Sequence, residues 1–284
     1  MKKYLYIFLT FAFGGALASC QKAEEGTEPG TTSDPTAVVF AYAADDDSHN
    51  PDSDLRLRIA TNDKAQKVYV FYEDTLSYQS NIASMGKDGY ADYVVKNGTE
   101  VSGAVANSVT ESYITGLNGF YDLSVAAVSG GKATVKTIRV FGVIWEDICE
   151  GTYRVQYSKR PLAPIMGGFE FPTTFQHNPL FPNQYRYKDV FGKGYHVILN
   201  LTGDEGEDDM GVYKCFAING CPTGFEYGDY GMIFVSTYAD YNGDQSYYDY
   251  TNLYENNSMY SYNTYHVEAG PLVNGGYDAF RPAQ

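Results

Sequence analysis

Leu55-Arg56-Leu57-Arg58-Ile59 puts its apolar residues on one side of an extended chain and its arginines on the other. Successive side chains of a strand point to opposite faces, so this period marks a half-buried strand. Further runs at 37–42, 67–72, 90–95, 109–114, 120–128 and 133–143 read the same way, with Asn97-Gly98 and Ser129-Gly130-Gly131 as turns. Seven short strands within residues 36–145 predict a small antiparallel sandwich. A content of 28 Tyr, 16 Phe and 29 Gly against one Trp also favours strands punctuated by turns over helices.

Residues 146–284 carry a second set of runs, at 152–157, 185–191, 195–201, 211–217, 232–238, 259–267 and 277–280. Tyr195, Val197, Leu199 and Leu201 alternate against His196, Ile198 and Asn200. Long connections rich in Pro and Gly separate these runs, notably 160–183. The expected fold class is all-β: a sandwich at 36–145, then a second antiparallel sandwich or barrel-like domain at 146–284.

The chain begins with Lys2 and Lys3, followed by an apolar stretch over 4–17 broken only by Thr10, Gly14 and Gly15. A bilayer core of about 30 Å needs roughly 20 apolar residues, so the stretch reads as a secretory signal and not a membrane span. Leu17-Ala18-Ser19-Cys20 has the form of a bacterial lipobox. Small residues fit a signal-peptidase pocket, and the Cys20 thiolate accepts a diacylglyceryl group. Residues 1–19 are therefore expected to be removed and Cys20 to hold the membrane, each buried CH₂ contributing about 0.8 kcal/mol. Residues 20–35 lack apolar periodicity and read as a flexible tether. Loss of Lys2 and Lys3 would take the net charge from −15 to −17. Such a charge repels phosphate backbones, which excludes nucleic acid as a partner.

Tyr113-Ile114-Thr115-Gly116-Leu117-Asn118-Gly119-Phe120-Tyr121, continuing as Asp122-Leu123-Ser124-Val125-Ala126-Ala127-Val128 and Gly130-Gly131, resembles the fibronectin type III signature. The resemblance implies a fibronectin type III/immunoglobulin-like sandwich in which Leu117 plugs the core and the Tyr121 hydroxyl bonds backbone near the corner. The Leu-to-Tyr spacing is two residues shorter than in that signature, and the second and third strands carry no Trp. Lys22-Ala23-Glu24-Glu25 after Cys20 resembles the start of mature Bacteroidota surface lipoproteins, which implies an outer-membrane, lipid-anchored protein expected at the cell surface, although the intervening Ala23 departs from that signal and leaves the leaflet open. Gly151-Thr152-Tyr153, the strand from Tyr230 and Gly275-Gly276-Tyr277-Asp278-Ala279-Phe280 resemble the C-terminal β domains of such lipoproteins, a group without a single activity. Asp74-Thr75-Leu76 resembles the Bacteroidota O-glycosylation sequon, which implies a glycan on Thr75.

Eighteen of the 28 tyrosines lie in residues 146–284, and eleven of these fall within 227–265. Tyr rings offer an apolar face to a sugar, while Asn and Asp exchange hydrogen bonds with its hydroxyls. Asn242, Asp244, Tyr247, Tyr248 and Tyr250 crowd into one turn-like stretch and form the candidate glycan-binding loop. Tyr260, Tyr262 and Tyr265 read instead as strand residues engaged in packing. The expected function is therefore a surface lipoprotein that captures a glycan or a host ligand, and for a glycan the acidic charge favours a neutral polysaccharide. The alternative is a structural or accessory lipoprotein that contacts an envelope protein and binds no small molecule.

No cofactor or metal is expected. The 45–54 loop, with five Asp, reads as a solvated acidic loop. Asp240, Asn242 and Asp244 begin like a calcium loop, but Gln245 and Thr251 stand where Gly and a bidentate Glu are required. The four His fall in no catalytic motif, and an enzyme is not expected. With Cys20 lipidated, Cys149, Cys215 and Cys221 remain; Cys215 and Cys221 flank an Asn219-Gly220 turn and form a candidate disulfide.

Overall fold

The computed structural model describes residues 29, 32–155 and 159–283. The expected signal segment, Cys20 and most of the tether lie outside them. The chain divides into two compact units. The first comprises the described residues up to Tyr42 with Leu57–Ser112 and Asp122–Ile138; the second comprises Ala43–Arg56, Tyr113–Tyr121 and the chain from Arg139 onward.

The N-terminal strands are β1 (Ala37–Ala43), β2 (Leu55–Thr61) and β3 (Lys67–Asp74), then helix α1 (Thr75–Asn97), β4 (Thr99–Glu100), β5 (Val109–Ile114), β6 (Gly119–Ser129) and β7 (Lys132–Gly142). They form two sheets, ordered β1-β2-β5 and β4-β3-β6-β7. Leu117 is 1% exposed.

Residues 90–95 are not the expected strand; they form the second half of α1. Asp74 caps the helix, accepting from the Leu76 and Ser77 amides at 3.0 Å each. Tyr90, Ala91 and Val94 lie on one face of that half and, with Tyr78 and Ile82 from before a kink at Gly86, pack on Ala126 and Val135 of the four-stranded sheet. Asn97-Gly98 ends this helix instead of turning a hairpin, the Gly98 amide donating to Val94 O at 2.8 Å. Six residues are too few to separate the two periods when apolar residues fall at 90, 91, 94 and 95. Because α1 covers one face of β6, that strand is buried on both: Ser124 and Ala126 under the helix, Leu123, Val125 and Ala127 on the opposite side.

The remaining chain runs β8 (Glu146–Val155), α2 (Lys159–Met166), β9 (Glu170–His177), β10 (Gln184–Tyr187), β11 (Val197–Asp208), β12 (Gly211–Ala217), β13 (Cys221–Glu226), β14 (Met232–Thr237), α3 (Tyr238–Asn242), β15 (Thr251–Tyr254), β16 (Met259–Val267) and β17 (Gly270–Pro282). Strands β8-β9-β10-β11-β12-β15-β16-β17 pair in sequence, all antiparallel. β17 then pairs back onto β8 from Asp278↔Val155 to Pro282↔Gly151, closing an eight-stranded barrel. The β13-β14 hairpin adds to the second half of β16. The stretch 160–183, expected as a long connection, contains α2 and β9. Pro172 makes β9 hard to recognise, but it sits where the strand pairs only with β8.

The barrel interior is a packed core that includes Tyr153, Phe175, Tyr187, Phe216, Tyr265 and Phe280. Within it Asp278 is fully buried and accepts hydrogen bonds from Tyr265 Oη at 2.7 Å, Asn263 Nδ2 at 2.8 Å and Tyr153 Oη at 3.0 Å. Burial, reinforced by the Asp278 carboxylate, raises the Tyr153 and Tyr265 hydroxyls well above the usual phenol range. Tyr187 Oη is buried with no hydrogen-bond partner among the described residues.

The expected disulfide does not form: Cys149, Cys215 and Cys221 are all free thiols. Phe216 points into the core, so its neighbour Cys215, although only 2% exposed, lies on the other face of β12. Cys221 joins the interior, where its Sγ accepts from the Ile198 amide at 3.2 Å. The two side chains occupy opposite faces, and a disulfide requires Cβ atoms that approach each other. Burial raises both thiols to about 11.

Candidate functional site

The tyrosine-rich loop is held by short-range capping. Thr237 caps α3, and Gly243 ends it in the left-handed conformation at φ 70°. Asp244 then caps the 3₁₀ turn Gln245–Tyr250, accepting from the Ser246 amide at 3.2 Å and Ser246 Oγ at 2.7 Å. Asn242 Nδ2 donates to Tyr238 O at 3.0 Å and to Asn274 Oδ1 at 3.3 Å. Tyr248 turns away from solvent and donates to Asp240 Oδ1 at 2.7 Å; burial and then that carboxylate raise its hydroxyl above the usual range. Of the five expected ligand contacts, Asn242, Asp244 and Tyr248 are thus occupied in building the loop. Tyr247 and Tyr250 are left to present their rings.

Those two rings join a cluster on the outer face of the barrel. Tyr262 is its centre, with centroids 5.0 Å from Tyr277, 5.1 Å from Tyr238, 6.2 Å from Tyr247 and 6.3 Å from Tyr250. Tyr247 also lies 4.5 Å from Tyr238 and 5.7 Å from Tyr250. Distances of 4.5–7 Å between tilted rings are favourable aromatic contacts. Tyr250 is 47% exposed, and the other four are half-buried. Gly275, at φ 89°, is passed over between the pairs Asn263↔Gly276 and Thr264↔Asn274, which marks a bulge. A Cβ there would lie 2.3 Å from Tyr262 Oη, so only glycine leaves room for the central ring.

Tyr238, Tyr262 and Tyr277 are absent from the sequence-derived candidates. Tyr262 alternates with buried Ser261 and Asn263, which already places it on the outer face, but its cross-strand partner Tyr277 requires the β16–β17 register. Tyr265 does pack in the core, as expected.

The other singled-out residues take no part in this cluster. Thr75 opens α1, and its Oγ1 is buried without a hydrogen-bond partner among the described residues. The expected glycan therefore has no access to that oxygen in the folded chain. In the 45–54 loop, Asp46 Oδ1 accepts from the Ser48 amide and hydroxyl and contacts His49 Nδ1 at 2.8 Å. These bonds, the Ser48 hydroxyl foremost, hold its carboxyl at about 2. Asp52 pairs at 2.6 and 3.0 Å with Arg186, which is 2% exposed and lies over the Trp145 ring at 4.3 Å. The Asp54 carboxylate accepts from the Asn50 and Gly116 amides. Asp47 accepts from Lys193 Nζ at 3.4 Å, so four of the loop's carboxylates are engaged by protein donors, and among the described residues no group of three or more His, Cys, Asp or Glu could hold a metal ion.

No protein-family model matches the chain, and no curated protein or solved structure matches it.

Proposed function

We propose that the protein is an outer-membrane lipoprotein of the Bacteroidota type, anchored through Cys20, whose barrel binds a neutral polysaccharide. The observation that carries the binding role is the outward cluster of Tyr238, Tyr247, Tyr250, Tyr262 and Tyr277. Each ring is braced by its neighbours, so little side-chain entropy is lost when a sugar stacks on it. The hydroxyls of Tyr238, Tyr247, Tyr250 and Tyr262 make no hydrogen bond with other described residues; Tyr262 Oη packs on Gly275, and the exposed Tyr250 offers its hydroxyl to a sugar. The order β1-β2-β5 and β4-β3-β6-β7 supports reading the first strands as a fibronectin type III-like spacer interrupted by α1.

Isothermal titration of the full chain against neutral polysaccharides tests the binding role. Each tyrosine contributes about 0.5–1.5 kcal/mol, by analogy with aromatic pairs, so Tyr247→Ala/Tyr250→Ala should weaken binding roughly five- to a hundredfold. Equal affinity of the two proteins would refute it. Membrane fractionation tests the anchor: Cys20→Ala should leave the membrane fraction or remain unprocessed.

A further inference from the structure

We infer that the tyrosine cluster is one end of a longer site, and that the ligand is an extended polysaccharide segment lying across β16, β17, β8 and β9. The inference rests on the glycan-binding reading above and adds to it the length of the ligand and a second set of contacts.

The strand register places the outward side chains in rows. Tyr262 faces Tyr277, Tyr260 faces Ala279, Ala279 faces Arg154, and Arg154 faces Glu170; one step along, Arg281 faces Thr152. Residues two apart on a strand share a face, so Tyr277, Ala279 and Arg281 lie on the outer surface of β17, Ala279 itself being fully covered there. Where that surface leaves the tyrosines, a groove of about 610 Å³ opens, lined by Glu150, Thr152, Arg154, Glu170, Thr174 and Arg281 among others.

Arg154 and Glu170 form an ion pair, with Nε to Oε1 at 2.7 Å. The side chains of Glu150, Thr152, Thr174 and Arg281 make no hydrogen bond or ion pair with other described residues. The groove thus offers an open carboxylate, two hydroxyls and a guanidinium. Together these supply both acceptors and donors, as rows of sugar hydroxyls require. The two acids and two arginines balance in charge, which suits a neutral chain. From Tyr262 to Glu170 the path crosses three strand-to-strand steps, about 14 Å at 4.7–4.9 Å each, and moves two residues along β17, about 7 Å more at right angles to them. That is longer than one sugar ring, so only an oligosaccharide reaches from stacking surface to groove.

The test is titration of the full chain with size ladders of malto-, cello- and xylo-oligosaccharides, from disaccharide to octasaccharide. For the ladder that binds, affinity should rise about tenfold or more with length in the wild type. Arg281→Ala and Thr152→Val, which remove exposed or open groups, should abolish most of that rise and leave disaccharide affinity unchanged. Tyr247→Ala/Tyr250→Ala should weaken every length. Binding that depends on the tyrosines but not on length, or a length dependence that survives both groove variants, overturns the extended site and leaves the tyrosine reading standing. Binding of no ladder, or binding indifferent to Tyr247 and Tyr250, overturns the reading itself.

Discussion

Tyr262 and Tyr265 stand three residues apart on β16 and do opposite work. Tyr265 is sealed in the barrel, 1% exposed, with its hydroxyl committed to Asp278 at 2.7 Å. Tyr262 lies on the outer face among four other tyrosine rings, and its hydroxyl bonds to none of the described residues. Inside, tyrosine fills volume and ties a buried carboxylate. Outside, it makes a braced surface with open polar edges. One residue type serves as core or as candidate binding surface according to the parity of its position on a strand.

The largest expected effect separates the two faces by stability. Tyr265→Ala should cost about 3–5 kcal/mol, because it empties core volume and leaves the buried Asp278 short of a donor. Tyr250→Ala, on a ring 47% exposed, should change stability by about 0.5 kcal/mol or less. Urea midpoints of the two variants check this. Comparable losses would mean that the outer tyrosines are structural and would weaken the case for a binding surface.

A smaller effect sharpens the comparison within the core. Tyr153→Phe removes a donor to Asp278 and should cost about 1–2 kcal/mol. Tyr187→Phe removes a buried hydroxyl that has no partner among the described residues, so it should be neutral or slightly stabilising. The same residue has a pH signature. Burial raises the Tyr187 hydroxyl well above 10 in the folded chain, whereas the unfolded chain ionises near 10. Its contribution is therefore complete below pH 10 and is lost as pH rises toward the folded value. Alkaline unfolding followed by circular dichroism should shift to higher pH in Tyr187→Phe. A shift to lower pH would show that the hydroxyl has a partner.

Short windows of sequence carried part of this arrangement. The alternation at Leu55–Ile59 and Val197–Leu201 is strand in the folded chain, and the cluster at 247–250 does contribute two rings to the outer surface. Asp244 and Asn242 look like ligand groups in the sequence, yet they serve as caps, because Asx side chains bond their own backbone as readily as a sugar. The open groups of the groove come from β8, β9 and β17, which are far apart in the chain, so no local motif points to them.

What the sequence by itself determined is the β character of the chain and, wherever a strand was recognised, which side chains share a face. Both follow from local sterics and a period of two. Only the tertiary structure decided that residues 90–95 are helix, that β17 returns to β8, that Cys215 and Cys221 part company, and that Tyr262 and Tyr277 complete the ring begun by Tyr247 and Tyr250. The physical reason is the same in each case. The period of a strand says which way its side chains point, but its neighbours are chosen by pairing between distant segments. That choice depends on the burial of the whole barrel rather than on any run of residues within it.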